Sequence, residues 1–215
     1  MKRKNKTCFY LGVCLFISFL VWTVLICFVD VRVIGPRESS VGFAALNGYI
    51  HELTGVNMPL YVITDWLGLI PIGVAFGFTV FGLLQWIKRK SLLKVDRNIL
   101  TLGIFYVVVI AVYIFFEKVV INYRPTLIDG YSEASYPSST TMLVMCVMPS
   151  AMMQLNTRVK NKTLRRCIML AIAVFIAFMV IGRLISGVHW ITDIIGGALF
   201  SSAVVSIYYA VSFSI

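Results

Sequence analysis

The sequence predicts an all-α membrane protein, a polytopic bundle of about six transmembrane helices. Three observations carry this expectation. Hydrophobic residues make up 60% of the 215 residues and charged residues only 13%, against about 25% charged in soluble domains. The apolar residues gather into six long runs, each of roughly the 20 residues needed to cross a bilayer. The basic residues collect in the short segments between those runs.

In chain order, Met1 to Lys6 is a basic cap, and Cys8 to Val29 is an uninterrupted apolar run. A secretory leader has a shorter apolar core, about 7–15 residues, and a small-residue cleavage site. This run has neither feature and is expected to be a retained first span. Residues 31–60 are too polar to span. Ser39 or Ser40 is expected to cap a short interfacial helix through Thr54. Leu60 to Ile87 forms the second span, with Asp65 near its start. Ile99 to Phe116 forms the third. A polar loop over 118–136 follows. Pro137 to Leu155 forms the fourth span, with proline suited to its first turn. Cys167 to Ile185 and Trp190 to Phe213 form the fifth and sixth. No linker or repeat divides the chain, so residues 1–215 are expected to form one domain.

The net charge of +10 has a specific distribution. Fourteen of the 19 Lys and Arg residues lie in the N-terminal cap, the 88–97 turn and the 158–166 turn. Alternating spans put these on one side, and the positive-inside rule makes that side cytoplasmic. Both termini then face the cytoplasm, in the cell membrane. The bilayer accounts for the charge, and no nucleic-acid partner is expected. Five cysteines, at 8, 14, 27, 146 and 167, contain no CxxC pair. They are expected to pack as small apolar residues, with no disulfide framework and no metal site.

The remaining loops, at 31–60, 118–136 and 183–192, face the opposite side. They hold few basic residues, yet Arg124 and Arg183 are among them. His189 and Asp193 are four apart. On a helix they share a face, so the carboxylate can fix one ring nitrogen and leave the other as a nucleophile or base. A His–Asp surface pair at a helix start is the plainer alternative. Arg183 adds a planar anion clamp. Lys118, Arg124 and the Pro137-Ser138-Ser139-Thr140 run add a second anion-binding stretch, with free N–H groups at the start of span four. Two arginines, a helix N-terminus and a histidine on one face suit phosphoryl transfer.

Arg183-Leu-Ile-Ser-Gly-Val-His189-Trp-Ile-Thr-Asp193 closely resembles the third motif of the type 2 phosphatidic acid phosphatase (PAP2) superfamily. Arg124-Pro125 resembles the end of its first motif, and Tyr136-Pro137-Ser138-Ser139 the start of its second. Motif order, spacing and the six-span layout match as well. The resemblance implies a PAP2-like fold and a membrane phosphatase of lipid phosphates or diphosphates, with no metal and no cofactor. It implies catalytic roles for His189, as a phosphohistidine nucleophile, and for Asp193. Lys118, Arg124, Ser138, Ser139, Thr140 and Arg183 would bind the substrate.

The chain departs from the family at three places. Glu117 holds the spacing of the first-motif lysine, with Lys118 one residue closer. Thr140 replaces the second-motif histidine, the family's general acid. Gly182 stands where the third motif usually has serine. Without that acid, a substrate whose leaving group is itself a phosphate is expected to react best, which favours polyprenyl or other lipid diphosphates. A catalytically impaired member that binds lipid phosphates is the second reading, and a transporter the third. His51, Asp129, Glu133 and Tyr136 are the candidates for a replacement acid, with His51 more simply an interfacial residue.

Overall fold

The structure is a computed structural model that describes residues 3–213. Eight helices run through it: α1 (Arg3–Phe28), α2 (Ala44–Thr54), α3 (Met58–Leu67), α4 (Leu69–Arg89), α5 (Arg97–Lys118), α6 (Ser139–Arg158), α7 (Lys162–Ile185) and α8 (Ile191–Ser212). A small antiparallel hairpin, β1 (Arg32–Gly35) and β2 (Ser39–Val41), separates α1 from α2. The bundle is all-α and polytopic, as its composition predicts.

Helix α8 lies at the centre. Half of its apolar window is buried, against 28% or less for the other four long apolar helices. It packs on α1, α5 and α6. Phe19 of α1 meets Phe116, Tyr136 and Phe200 around this axis. The outer faces leave large apolar side chains exposed, among them Val24, Phe76, Val107 and Leu170. A patch of that extent marks a contact surface, and hydrocarbon is what it fits.

Five helical segments are long and apolar enough to cross a membrane: α1, α3–α4 together, α5, α7 and α8. The sixth predicted span, α6, falls outside that group because its composition is more polar. The reason lies in its position. It is surrounded by α4, α5, α7 and α8, and its polar side chains bond inside the bundle. Ser150 Oγ meets Tyr106 Oη at 3.1 Å, and Gln154 Nε2 donates to Tyr208 Oη. Such pairing removes most of the penalty for polar groups in an apolar setting.

The predicted second span is two helices. A straight helix from Met58 to Arg89 would be about 48 Å long, well beyond a ~30 Å hydrocarbon core. Pro71 has no N–H for the Leu67 carbonyl and clashes with it, and the helix breaks at Gly68. The interfacial helix starts later than expected. Ser39 and Ser40 lie in β2, not at a cap. Asp30 holds the start of α2 instead, its carboxylate accepting from Ala45 N at 2.7 Å and its carbonyl from Ala44 N at 2.9 Å. Pro137 lies outside α6, and Ser138 is the N-cap, accepting from Thr141 N.

The polar loop between α5 and α6 folds back on itself. Ser135 N donates to Asn122 O, Arg124 N to Glu133 O, and Ile128 N to Tyr131 O. Asp129 and Gly130 turn it with φ of 49° and 80°, as Asp-Gly does in tight hairpins. This loop, the segment from β1 to α3, and the α7–α8 junction meet at one end of the bundle. Gly187 fixes that junction. Its φ is +67°, and a Cβ there would stand 1.8 Å from the Gly55 carbonyl oxygen. Gly187→Ala is therefore expected to cost at least about 2 kcal/mol from strain and overpacking together. Gly103→Ala, where a Cβ meets nothing within 4 Å, is expected to stay within about 1 kcal/mol of the native protein. Melting midpoints in detergent check the contrast.

Candidate active site

The α7–α8 junction delivers Arg183 and His189 to this end of the bundle. Arg183 sits on the last turn of α7, where Ser186 bonds back to it, Oγ to Arg183 O at 2.8 Å. His189 precedes α8 and is not on it, because the helix begins at Ile191. The expected shared helical face is therefore absent. The Asp193 carboxylate lies 3.9 Å from His189 Nδ1, too far for a direct hydrogen bond. Ser135 fills the gap. Its hydroxyl donates to Asp193 Oδ2 at 2.5 Å and stands 3.0 Å from His189 Nδ1. With its own proton given to Asp193, Ser135 Oγ accepts from Nδ1–H. The ring then carries its proton on Nδ1 and a free lone pair on Nε2.

Asp193 is fixed on every side. Trp190 N donates to Oδ2 at 2.9 Å and Asn122 Nδ2 to Oδ1 at 3.3 Å. Ser138 N donates to the Asp193 carbonyl at 3.1 Å, tying the start of α6 to α8. A Cβ on Gly196 would meet the Tyr136 ring at 2.4 Å, so this residue lets the 136–138 segment lie against α8. Asn47 of α2 bonds Thr192 from both ends of its amide, at 3.0 and 3.3 Å.

Both arginines reach the same place from different elements. Arg183 is 1% exposed and Arg124 is 9% exposed. The Tyr61 ring on α3 lies against both, 4.9 Å from the Arg183 guanidinium carbon and 5.8 Å from that of Arg124. Arg183 Nη1 also meets Thr64 Oγ1 at 3.4 Å and Asp65 Oδ1 at 3.7 Å. Arg124 Nε lies 3.1 Å from Glu133 Oε2, a charge contact outside hydrogen-bond geometry. Four buried nitrogens here have no hydrogen-bond partner: His189 Nε2, Arg124 Nε and Nη1, and Arg183 Nε. Leaving such groups unsatisfied is costly unless something arrives to bind them. The imidazole is held neutral. Burial pushes its pKa well below 6.5, and the charges of Arg124 and Arg183 push it the same way.

The second-motif residues border this centre. Ser138 is fully buried at the cap of α6. Ser139 lines a polar cavity of about 510 Å³ together with Glu117, Tyr123, Arg124, Ser132 and Glu133. Ser139 and Thr140 also line an apolar cavity of about 520 Å³ that runs between α4, α5 and α6, past Asp65, Ile72, Val109 and Leu143. Glu117 thus faces the polar cavity, while Lys118 stands exposed at the end of α5. His51 is on α2 with its ring against Trp190, centroids 5.5 Å apart. Burial lowers its pKa, with Glu52 opposing.

The sequence did not single out Ser135, Asn122, Tyr61 or Thr64. Ser135 and Asn122 lie in a loop whose hairpin pairing has no strong local signal beyond Asp129-Gly130. Tyr61 and Thr64 lie in a run whose apolar character spoke only of the membrane, with Asp65 as its one visible exception.

This architecture and this cluster define a class: a polytopic helical bundle with a histidine and two arginines gathered at one end. Residues 118–214 match the model of the PAP2 superfamily. The crystal structure of the first transmembrane PAP2 type phosphatidylglycerolphosphate phosphatase from Bacillus subtilis is similar, with a TM-score of 0.56 over 94% of each chain. Sequence identity is 18%, so that likeness speaks for the fold alone. No curated protein matches the chain.

The electrostatics can be measured directly. His189 is expected to stay neutral through pH 6.5 in imidazole NMR and to protonate only well below it. Removing one cation in Arg124→Gln is expected to move that titration upward, toward the ordinary value.

Proposed function

We propose that the chain is a membrane phosphatase of lipid phosphates, and preferentially of lipid diphosphates such as polyprenyl diphosphates. The observation that carries this is the set of unpartnered nitrogens on His189, Arg124 and Arg183. Guanidinium N–H groups suit phosphate oxygens, and a neutral imidazole lone pair beside them suits attack on phosphorus. His189 Nε2 takes the phosphoryl group as a phosphohistidine. Ser135 and Asp193 hold the ring and stabilise the charge that develops on it. Free N–H groups at the start of α6 add to the phosphate cradle. The apolar cavity beside Ser139 and Thr140 takes a lipid chain.

The preference for diphosphates rests on the leaving group. Thr140 offers no acid near neutral pH. An alkoxide leaves poorly, its conjugate acid being on the scale of water near ~15.7, and general-acid help is worth about 10²–10⁴-fold. A phosphate leaving group needs far less help, since its second pKa is about 6. The same substitution favours a second reading, a phosphate-binding member without turnover. The basic segments at the far end of the bundle support an active site on the non-cytoplasmic side, with both termini cytoplasmic.

Purified protein in detergent is expected to release phosphate faster from a lipid diphosphate than from the matching monophosphate, and His189→Ala to abolish release. In intact cells a membrane-impermeant short-chain diphosphate is expected to be hydrolysed. No release from either substrate favours the binder, and equal rates remove the diphosphate preference. Ser135→Ala leaves Asp193 too far from Nδ1 to orient the ring. It is expected to lower kcat roughly 10²-fold with little change in KM, which steady-state kinetics checks.

A further inference from the structure

The geometry points to Tyr61 as the group that protonates the leaving oxygen, in the place left by the missing histidine. This rests on the phosphatase reading and concerns its leaving-group step. The residues that could serve by sequence position alone have other surroundings. Thr140 borders the apolar cavity. The Tyr136 hydroxyl is bonded to Thr23 Oγ1 at 2.7 Å. Glu133 and Asp65 lie against Arg124 and Arg183, at 3.1 and 3.7 Å. Asp129 forms a turn. His51 lies on α2 with its ring against Trp190, and its buried Nδ1 has no hydrogen-bond partner.

Tyr61 differs from all of these. Its ring touches both guanidiniums that act on His189, at 4.9 and 5.8 Å. Its hydroxyl has no hydrogen-bond partner among the described residues. A phenolic hydroxyl can donate its proton as well as accept a hydrogen bond.

The fold also holds α3 in place. Asn57 N donates to Ser186 O at 3.0 Å, and the Asn57 side chain caps α3 through Leu60 N at 3.0 Å. Thr64, one turn on, bonds the Tyr61 carbonyl and receives Arg183 Nη1. This contact needs a small residue opposite. A Cβ on Gly182 would stand 2.9 Å from Thr64 Cγ2. So Gly182, in place of the usual third-motif serine, is what allows α3 to come close enough for Tyr61 to reach the arginines.

In the step itself, Nε2 of His189 bonds to phosphorus and the bond from phosphorus to the leaving oxygen breaks. The phenolic proton passes to that oxygen, releasing an alcohol, and both arginines stand beside the phenolate. Water then attacks the phosphohistidine, the P–N bond breaks, and a water proton returns to the phenolate. A phenol is a weaker acid than imidazolium, so monophosphates turn over slowly while diphosphates remain the better substrates.

Tyr61→Phe keeps the ring between the guanidiniums and removes only the hydroxyl. The full chain in detergent is assayed on an alkyl monophosphate and the matching alkyl diphosphate. Release from the monophosphate is expected to fall about 10²-fold or more, and release from the diphosphate to stay within about 3-fold of the native protein. Equal losses on the two substrates make Tyr61 structural and overturn the inference, as does an unchanged monophosphate rate. If the native protein releases phosphate from neither substrate, the phosphatase reading falls and this inference with it.

Discussion

Arg183 is a cation with 1% of its surface exposed, at the end of an apolar helix, and much of the surrounding structure answers to it. Burying such a charge is expensive unless it is paired. The pairing comes from α3, which supplies Thr64, Asp65 and the Tyr61 face. The break at Gly68, which Pro71 produces, leaves α3 as a separate segment packed on α7. The partners are nevertheless incomplete, since Arg183 Nε is left without one. An open guanidinium nitrogen of this kind is what the proposed phosphate would bind.

The His189 side follows the same logic with different chemistry. Asp193 is buried and held by Ser135, Asn122 and Trp190 N. It acts on His189 through a hydroxyl and not directly. An interposed serine fixes the tautomer as a carboxylate would, and it also ties the ring to the α5–α6 loop. Hairpin, histidine and α8 therefore move as one unit. The same loop carries Arg124, so the spacing between His189 and Arg124 is set by the Asn122–Ser135 and Arg124–Glu133 backbone pairings.

Much of this was legible in the sequence. Arg183, His189, Asp193 and Arg124 stood out because charged groups are rare in apolar surroundings and these four fell on one side of the predicted topology. The bundle was legible from apolar run length. What could not be read was contact between segments distant in the chain. A four-residue spacing suggested a direct His189–Asp193 bond, but the helix starts two residues after the histidine, and that start is set by Asn47 and Trp190 in three dimensions. Tyr61 was hidden because an aromatic residue near a span end is usual at a membrane interface. Ser39 and Ser40 looked like caps because serine favours that position, but Asp30, 15 residues before Ala45, took the role.

The departures from the family pattern are connected in space. Gly182 admits α3, and α3 brings the Tyr61 ring against Arg183 and Arg124. The proposed function depends on His189 accepting the phosphoryl group. Mass spectrometry of protein quenched in acid-free conditions during turnover of a lipid diphosphate tests that most directly. Phosphate on His189, absent from His189→Ala, is the predicted result. Sustained phosphate release with an unmodified His189, undiminished in His189→Ala, would contradict it.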